Sequence, residues 1–162
     1  MMELGDIITT IAEIAIALIG FSAIVVVLNP NPIRDWSVSE RFNFRILVQV
    51  GGIVVVFSIL PFGTNLIFDE HLAWKYALLA YGIFHIVDLT TFVIKFPKDV
   101  TSINRALPYF GYVVILIQIS VPFFGNTEAI KVTYLASLVF HLVISFMAFV
   151  ILVYGMHSRR DA

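Results

Sequence analysis

Five long runs of apolar residues divide this chain, and short polar segments rich in proline, glycine and charge separate them. The runs cover residues 4–28, 44–68, 72–94, 107–124 and 129–154. Each approaches or exceeds the about 20 residues that an α-helix needs to cross about 30 Å of hydrocarbon. The pattern therefore predicts an all-α integral membrane bundle of five transmembrane helices, built as a single domain over residues 1–162.

The segments between the runs carry signals that stop and start helices. Asn29-Pro30-Asn31-Pro32 ends the first helix, because consecutive X-Pro steps do not continue one. Ser37-Val38-Ser39-Glu40 has the sequence of a capping box, which predicts that the second helix opens there, ahead of its apolar run. Gly125-Asn126 closes the fourth run, which is the shortest and contains Pro108 and Pro122.

The basic residues indicate which way the helices cross the membrane. Eight of the ten Lys and Arg residues fall on one side of a five-span topology, and two fall on the other. By the positive-inside rule this places the N-terminus outside and the C-terminus in the cytoplasm. The residues on the cytoplasmic side are Arg34, Arg41, Arg45, Lys95, Lys98, Arg105, Arg159 and Arg160, and those outside are Lys75 and Lys131.

Composition supports a membrane protein and excludes several other classes of protein. Hydrophobic residues make up 60% of the chain and charged residues 13%, whereas soluble domains average about 45–50% and about 25%. A net charge of −1 without a basic stripe argues against a nucleic-acid partner. The chain has no cysteine, and we find no phosphate-binding loop, zincin helix or nucleophile elbow. We therefore expect a protein of the lipid bilayer that is not an enzyme and holds no cofactor.

The third apolar run carries ionisable side chains where lipid is expected. His85 and Asp88 lie within it, on a helix face that also holds Trp74, Leu78, Tyr81, Phe92 and Lys95. An ionised Asp at membrane depth costs roughly 2.5–3.5 kcal/mol on insertion scales, so this face should meet protein or water. Asp88 follows His85 by three residues and could orient its ring or share its proton.

The first run has a face that is acidic near its outer end and small toward its middle. The face consists of Glu3, Asp6, Thr10, Glu13, Ala17 and Gly20. Glu13 lies about 13 Å beyond Leu4 at a rise of 1.5 Å per residue, which is inside the hydrocarbon. One interpretation is a packing face on which Glu13 has a polar partner or stays protonated. The other is an aqueous path, in which Asp6, Thr10 and Glu13 bind or attract cations.

The fifth run presents a second histidine at a similar depth. His141 shares a face with Tyr134, Ser137, Ser145 and Ala148. His85 and His141 each lie about 12 residues from the outer end of their helices, which places both near the midplane. Two such histidines have the minimal arrangement for a bis-imidazole haem or part of a metal site. A proton relay and a hydrogen-bonded structural role are the alternatives.

Two glutamines within the apolar runs are predicted to make structural polar contacts. Gln49 lies in the second run and Gln118 in the fourth. In a membrane, the amide side chain of glutamine commonly hydrogen-bonds between helices. We therefore interpret both as hydrogen-bonding residues between helices rather than as ligands.

Several short motifs are spread along most of the chain: Glu13 followed by Gly20-Phe21-Ser22, then Arg41 and Arg45, Leu60-Pro61, and the helix of Gln118. Together they resemble a widespread group of small bacterial inner-membrane proteins of no known activity. The resemblance implies a multi-pass protein of the bacterial cytoplasmic membrane and implies no activity.

These observations lead to one functional hypothesis and one alternative, with a sensor that does not transport as a third possibility. The hypothesis is an oligomeric channel or pore for cations or protons, because a symmetric homo-oligomer creates a path on its axis. Asp6, Thr10 and Glu13 would bind ions, while His85, Asp88 and His141 would act as gate or proton relay. The alternative is a non-catalytic accessory or scaffold subunit of a larger membrane complex, with haem bound through His85 and His141.

Overall fold

The computed structural model of the chain describes residues 3–29, 31–95 and 102–158, and these residues are mostly helical. The α-helices are α1 (Leu4–Leu28), α2 (Val38–Asn65), α3 (Glu70–Ile94), α4 (Ser102–Phe124) and α5 (Thr127–Ser158), with a 3₁₀ turn at Ile33–Asp35. The predicted all-helical class is confirmed. Lys98, Arg159 and Arg160, which enter the charge asymmetry, lie outside the described residues.

Four of these helices are long and apolar enough to cross a membrane, namely α1, α2, α3 and α5. The apolar part of α4, Pro108–Phe124, is shorter. The chain therefore has the helices of a membrane protein, and a fifth crossing by α4 stays a prediction.

Polar caps explain why the helices extend beyond or stop short of the apolar runs. The capping box is confirmed, because the Ser37 hydroxyl accepts from the Glu40 N–H at 3.2 Å and the Glu40 carboxylate accepts from the Ser37 N–H at 2.6 Å. It starts α2 at Val38, six residues before the apolar run. Asp69 caps α3 by accepting from the Leu72 N–H, and α2 ends four residues earlier, at Asn65.

The described chain divides into two compact units. Unit 1 comprises Met1–Ser58 and Leu138–Ala162, and unit 2 comprises Ile59–Ser137. Helices α2 and α5 each contribute residues to both. Each unit has its own buried side chains.

Unit 1 is built around Trp36, which lies in the connection between α1 and α2 and is buried. Its indole N–H donates to the Asn31 carbonyl at 3.0 Å, and its ring meets Phe44 edge-on at 5.6 Å between centroids. The Arg41 guanidinium donates to the Trp36 carbonyl and fixes the chain beside it. Its buried apolar cluster consists of Leu18, Trp36, Leu47, Ala148 and Leu152.

A glycine brings the helices of unit 1 close together. A Cβ on Gly51 of α2 would lie 3.0 Å from Ile19 of α1 and 3.2 Å from the Ser145 hydroxyl of α5. That hydroxyl donates to the Leu47 carbonyl at 3.1 Å, a bond between α5 and α2. Small residues and hydroxyls are the usual means by which membrane helices approach each other.

Unit 2 is dominated by the packing of α3 on α4. A Cβ on Gly82 would lie 2.8 Å from Ile119, and one on Gly111 would lie 2.9 Å from Leu89, so each helix contributes a glycine to the approach. Aromatic rings join α3 to the first part of α5, where Tyr134 meets Trp74 and Tyr81 at centroid distances of 5.6 and 5.5 Å.

Candidate functional site

Helix α1 presents its acidic face away from the buried side of the helix. All six residues of this face are exposed: Glu3, Asp6, Thr10, Glu13, Ala17 and Gly20. The buried residues are on the opposite side: Ile8, Ile11, Ala15, Leu18 and Ser22. At about 100° per residue the two sets lie on opposite sides of the helix. The core of unit 1 is therefore packed by one side of α1, while the other side carries the carboxyl groups.

Glu13 has no hydrogen bond or ion pair with the described part of the chain. Its neighbour Thr10 is satisfied within the helix, because its hydroxyl donates to the Asp6 carbonyl at 2.8 Å. At membrane depth a carboxyl group needs water, a proton or another polypeptide, since a lipid contact would cost roughly 2.5–3.5 kcal/mol.

The predicted face of α3 is buried over its first three turns. Trp74, Leu78, Tyr81 and His85 are buried, whereas Asp88 is half-buried one turn further along. At the end of the face Phe92 is half-buried and Lys95 is exposed. The exposure of the face therefore increases along the helix, from the buried aromatic residues at its start to the exposed Lys95 at its end.

His85 has a specific partner in unit 2. Its Nδ1 lies 3.0 Å from the side-chain oxygen of Gln118 on α4. Gln118 has no exposed surface, and its amide nitrogen has no hydrogen-bond partner among the residues that the structure describes. The pair is therefore a polar link between two helices in an apolar environment.

The polar face of α5 is also buried, and its residues are divided between the units. Tyr134 and Ser137 belong to unit 2, where the Tyr81 hydroxyl donates to the Ser137 carbonyl at 3.4 Å. His141 and Ser145 belong to unit 1 and are buried there. The ring of His141 meets that of Phe140 edge-on at 5.5 Å between centroids.

The two glutamines that were predicted to make structural contacts have different exposure. Gln118 is buried and bonds to His85 of another helix. Gln49 is exposed, and its oxygen accepts from Arg45 Nε at 3.4 Å within α2. Helical spacing distinguishes the two, because Gln118 lies on the buried stripe of α4 that consists of Pro108, Gly111, Ile115, Gln118 and Pro122.

Sequence reasoning did not identify Gln118 as the partner of His85. The stripe on α4 could have shown that Gln118 faces protein, but 33 residues separate it from His85. Which helix it meets depends on tertiary packing.

Acidic and imidazole groups do not cluster into a metal site in the part of the chain that is described. No group of three or more His, Asp or Glu residues there could hold a metal ion. The ligation of haem by His85 and His141 stays a prediction, as does their role as a gate or relay.

The likeness to small bacterial inner-membrane proteins likewise stays a prediction that rests on the short motifs quoted above. No family model, no curated protein and no solved structure matches this chain.

Proposed function

We propose that this protein is an oligomeric channel that passes cations or protons across a bacterial inner membrane. The proposed topology has five crossings, with the N-terminus outside and the C-terminus in the cytoplasm. The observation that supports the proposal most strongly is the exposed carboxyl of Glu13, which lies within the apolar helix α1 on the side opposite to the buried one.

The position of Glu13 limits what can surround it. A single protomer would present the carboxyl to lipid, which is unfavourable for the charged form. A cyclic homo-oligomer gives every copy of this face the same surroundings, so the α1 helices can line one central path. Ala17 and Gly20 continue the face with small residues, which allow helices to approach closely on the inner side of Glu13.

The chemistry of such a path favours cations. Rings of Asp or Glu are a common means by which pores attract cations, and the Glu13 carboxylates would form one ring. Asp6 lies about two turns nearer the outer end and would concentrate cations at the entrance. Thr10 lies between them, and its hydroxyl oxygen can accept a hydrogen bond from a passing hydrated ion.

Three further residues are assigned roles inside the protein. His85, Asp88 and His141 are ionisable groups within the membrane-spanning helices, and in membrane proteins such groups often form gates or proton relays. No enzymatic step and no cofactor enter the proposal. An accessory subunit of a larger complex is the competing function, because it would present the same face of α1 to a different protein.

Cross-linking from α1 separates the two functions. A cysteine at Ala17 is the only thiol in the chain, since the natural sequence has none. In native membranes, oxidation of Ala17→Cys should give a dimer of this chain. The matched control is Ile16→Cys, which is also exposed but lies about 100° around the helix and should cross-link far less. Cross-linking of Ala17→Cys to a different protein instead would support the accessory subunit.

A further inference from the structure

Helix α2 has an exposed face that changes from charged to apolar along its length. Its first two turns carry Arg41 and Arg45, which lie four residues apart on one side of the helix and are both exposed. Val48 and Val56 continue that side, with 37% and 63% of their surface exposed. Gly52 lies between the two valines, and nothing lies within 4 Å of a Cβ there. This arginine face of α2 therefore joins two cations to an apolar path with open space in its middle.

Hydrogen bonds hold both guanidinium groups at the start of the helix. One terminal nitrogen of Arg41 donates to the backbone carbonyls of Arg34 and Trp36 in the preceding connection. Nε of Arg45 donates to the side-chain oxygen of Gln49 at 3.4 Å. These acceptors are neutral, so both side chains keep their full positive charge. A guanidinium has five N–H donors, and within the described chain these bonds leave several of them for another acceptor.

The carboxylates nearest in sequence are engaged away from the arginine face. Glu40 lies about 140° around α2 from Arg45, and its carboxylate accepts from the Ser37 N–H and hydroxyl at 2.6 Å each. Asp35 forms an exposed ion pair with Nε of Arg34 at 3.7 Å. No carboxylate among the described residues lies within 4 Å of either guanidinium of the arginine face. An anion that binds this face would therefore meet two cations without a competing carboxylate.

The dimensions of the face match those of one phospholipid. Helix α2 is long and apolar enough to cross a membrane, and its apolar run begins at residue 44, so its arginines belong at the level of the headgroups. Val56 lies about 16 Å along the helix from Arg45 at a rise of 1.5 Å per residue. One leaflet contributes roughly half of the about 30 Å of hydrocarbon. An acyl chain can therefore lie along the face as far as Val56 while its phosphate stays at the arginines.

We propose that the arginine face of α2 binds an anionic phospholipid, with its phosphate on Arg41 and Arg45 and an acyl chain along Val48, Gly52 and Val56. Guanidinium groups suit this ligand because they form paired, charge-assisted hydrogen bonds to phosphate oxygens. The apolar continuation of the face favours a lipid over a free phosphate, which would need the arginines alone. The proposal requires that α2 crosses the bilayer, but it does not depend on whether the protein conducts ions.

Fluorescence quenching by brominated lipids tests the proposal. Val56→Cys gives the cysteine-free chain a single thiol, which carries a fluorophore at the apolar end of the face. The labelled protein is reconstituted in phosphatidylcholine vesicles that contain a fixed fraction of either brominated phosphatidylglycerol, which is anionic, or brominated phosphatidylcholine. The anionic lipid should quench the fluorophore more strongly. Adding Arg45→Gln should lower the relative association constant of the anionic lipid roughly fivefold, as expected for the loss of one basic residue near anionic lipid.

Two controls separate this site from a general attraction to anionic lipid. Arg34→Gln makes the same change of charge in the connection before α2, outside the face, and should leave the preference unchanged. A fluorophore on Ile83→Cys reports on α3 at a position that is 58% exposed, close to the 63% of Val56. The two brominated lipids should quench that fluorophore equally.

Three results would overturn the proposal. The first is equal quenching of the Val56→Cys fluorophore by both lipids, which needs no arginine variant to fold. The second is an equal loss of preference in Arg34→Gln and Arg45→Gln, or the same preference at Ile83→Cys. The third is relief of the quenching by inorganic phosphate beyond that by chloride at the same ionic strength, which would indicate a site for a free phosphate. Failure of the channel is a separate result, because a protein that conducts no ions can still show the predicted lipid preference.

Discussion

The Nδ1 atom of His85 lies 3.0 Å from the side-chain oxygen of Gln118, which is 33 positions further along the chain, and both side chains are buried. This bond joins α3 to α4 within unit 2. Because an apolar environment offers few other partners, loss of either side chain leaves the other without its bond. The pair should therefore contribute to stability as a unit.

A double-mutant cycle measures that coupling. His85→Leu and Gln118→Leu should each lower the free energy of unfolding by roughly 1–3 kcal/mol, because each leaves a buried polar partner unsatisfied. The double variant should lose less than the sum, with a coupling of about 0.5–2 kcal/mol, as is typical of residues in direct contact. Denaturant unfolding in detergent gives the four values. Strict additivity would show that the two side chains do not act as a pair.

Neighbouring glycines of α2 provide a test of the packing in unit 1. Gly51→Leu should destabilise the protein by roughly 1–3 kcal/mol, because a Cβ at this position would lie only 3.0 Å from Ile19. Gly52→Leu is the matched control, since nothing lies within 4 Å of a Cβ there. It should be neutral or slightly stabilising, because leucine is the better helix former. Equal shifts of the thermal midpoint in the two variants would contradict the described approach of α1 and α2.

The five-span topology predicts where introduced cysteines can be labelled. In this cysteine-free chain, Asn126→Cys should react with a membrane-impermeant reagent from outside, and Ser158→Cys only from the cytoplasmic side. Asn31→Cys, in the connection between α1 and α2, serves as a second cytoplasmic reporter and should behave as Ser158→Cys does. If Asn126→Cys and Ser158→Cys label from the same side, the chain does not cross the membrane five times.

The helical elements were predictable because their signals are local. The bounds of α1 agree with its apolar run, and the capping box at Ser37 and Glu40 marks the start of α2. Both depend on residues within a few positions of each other along the chain. The apolar run of the second helix extends to residue 68, whereas α2 ends at Asn65, because apolar composition alone does not show where a helix stops.

The surroundings of the site residues were harder to predict from the sequence. The acidic face of α1 was readable from its spacing, but whether that face met the protein interior was not, and the structure leaves Glu13 exposed. The reason is that periodicity identifies two sides of a helix without showing what each side contacts. The partner of His85 is likewise fixed by the packing of Gly82 and Gly111, which brings distant segments together.

Ion flux through reconstituted protein tests the central claim most directly. Wild-type protein in liposomes should pass cations or protons under a membrane potential or a pH gradient. Glu13→Gln should reduce the flux roughly tenfold, because the charge that concentrates cations is lost. Its stability should change by no more than about 0.5 kcal/mol, as for an exposed side chain. Asp35→Asn, an exposed carboxylate outside the spanning helices, is the control and should conduct like the wild type.

The contrary results are equally specific. Glu13→Gln that unfolds more easily by roughly 1–3 kcal/mol would indicate a carboxyl with a polar partner in the assembled protein, not one in a water-filled path. Wild-type protein that passes neither cations nor protons under any potential or gradient would contradict the channel. A channel lined by α1 should instead show ion flux that depends on Glu13, with the fold left intact.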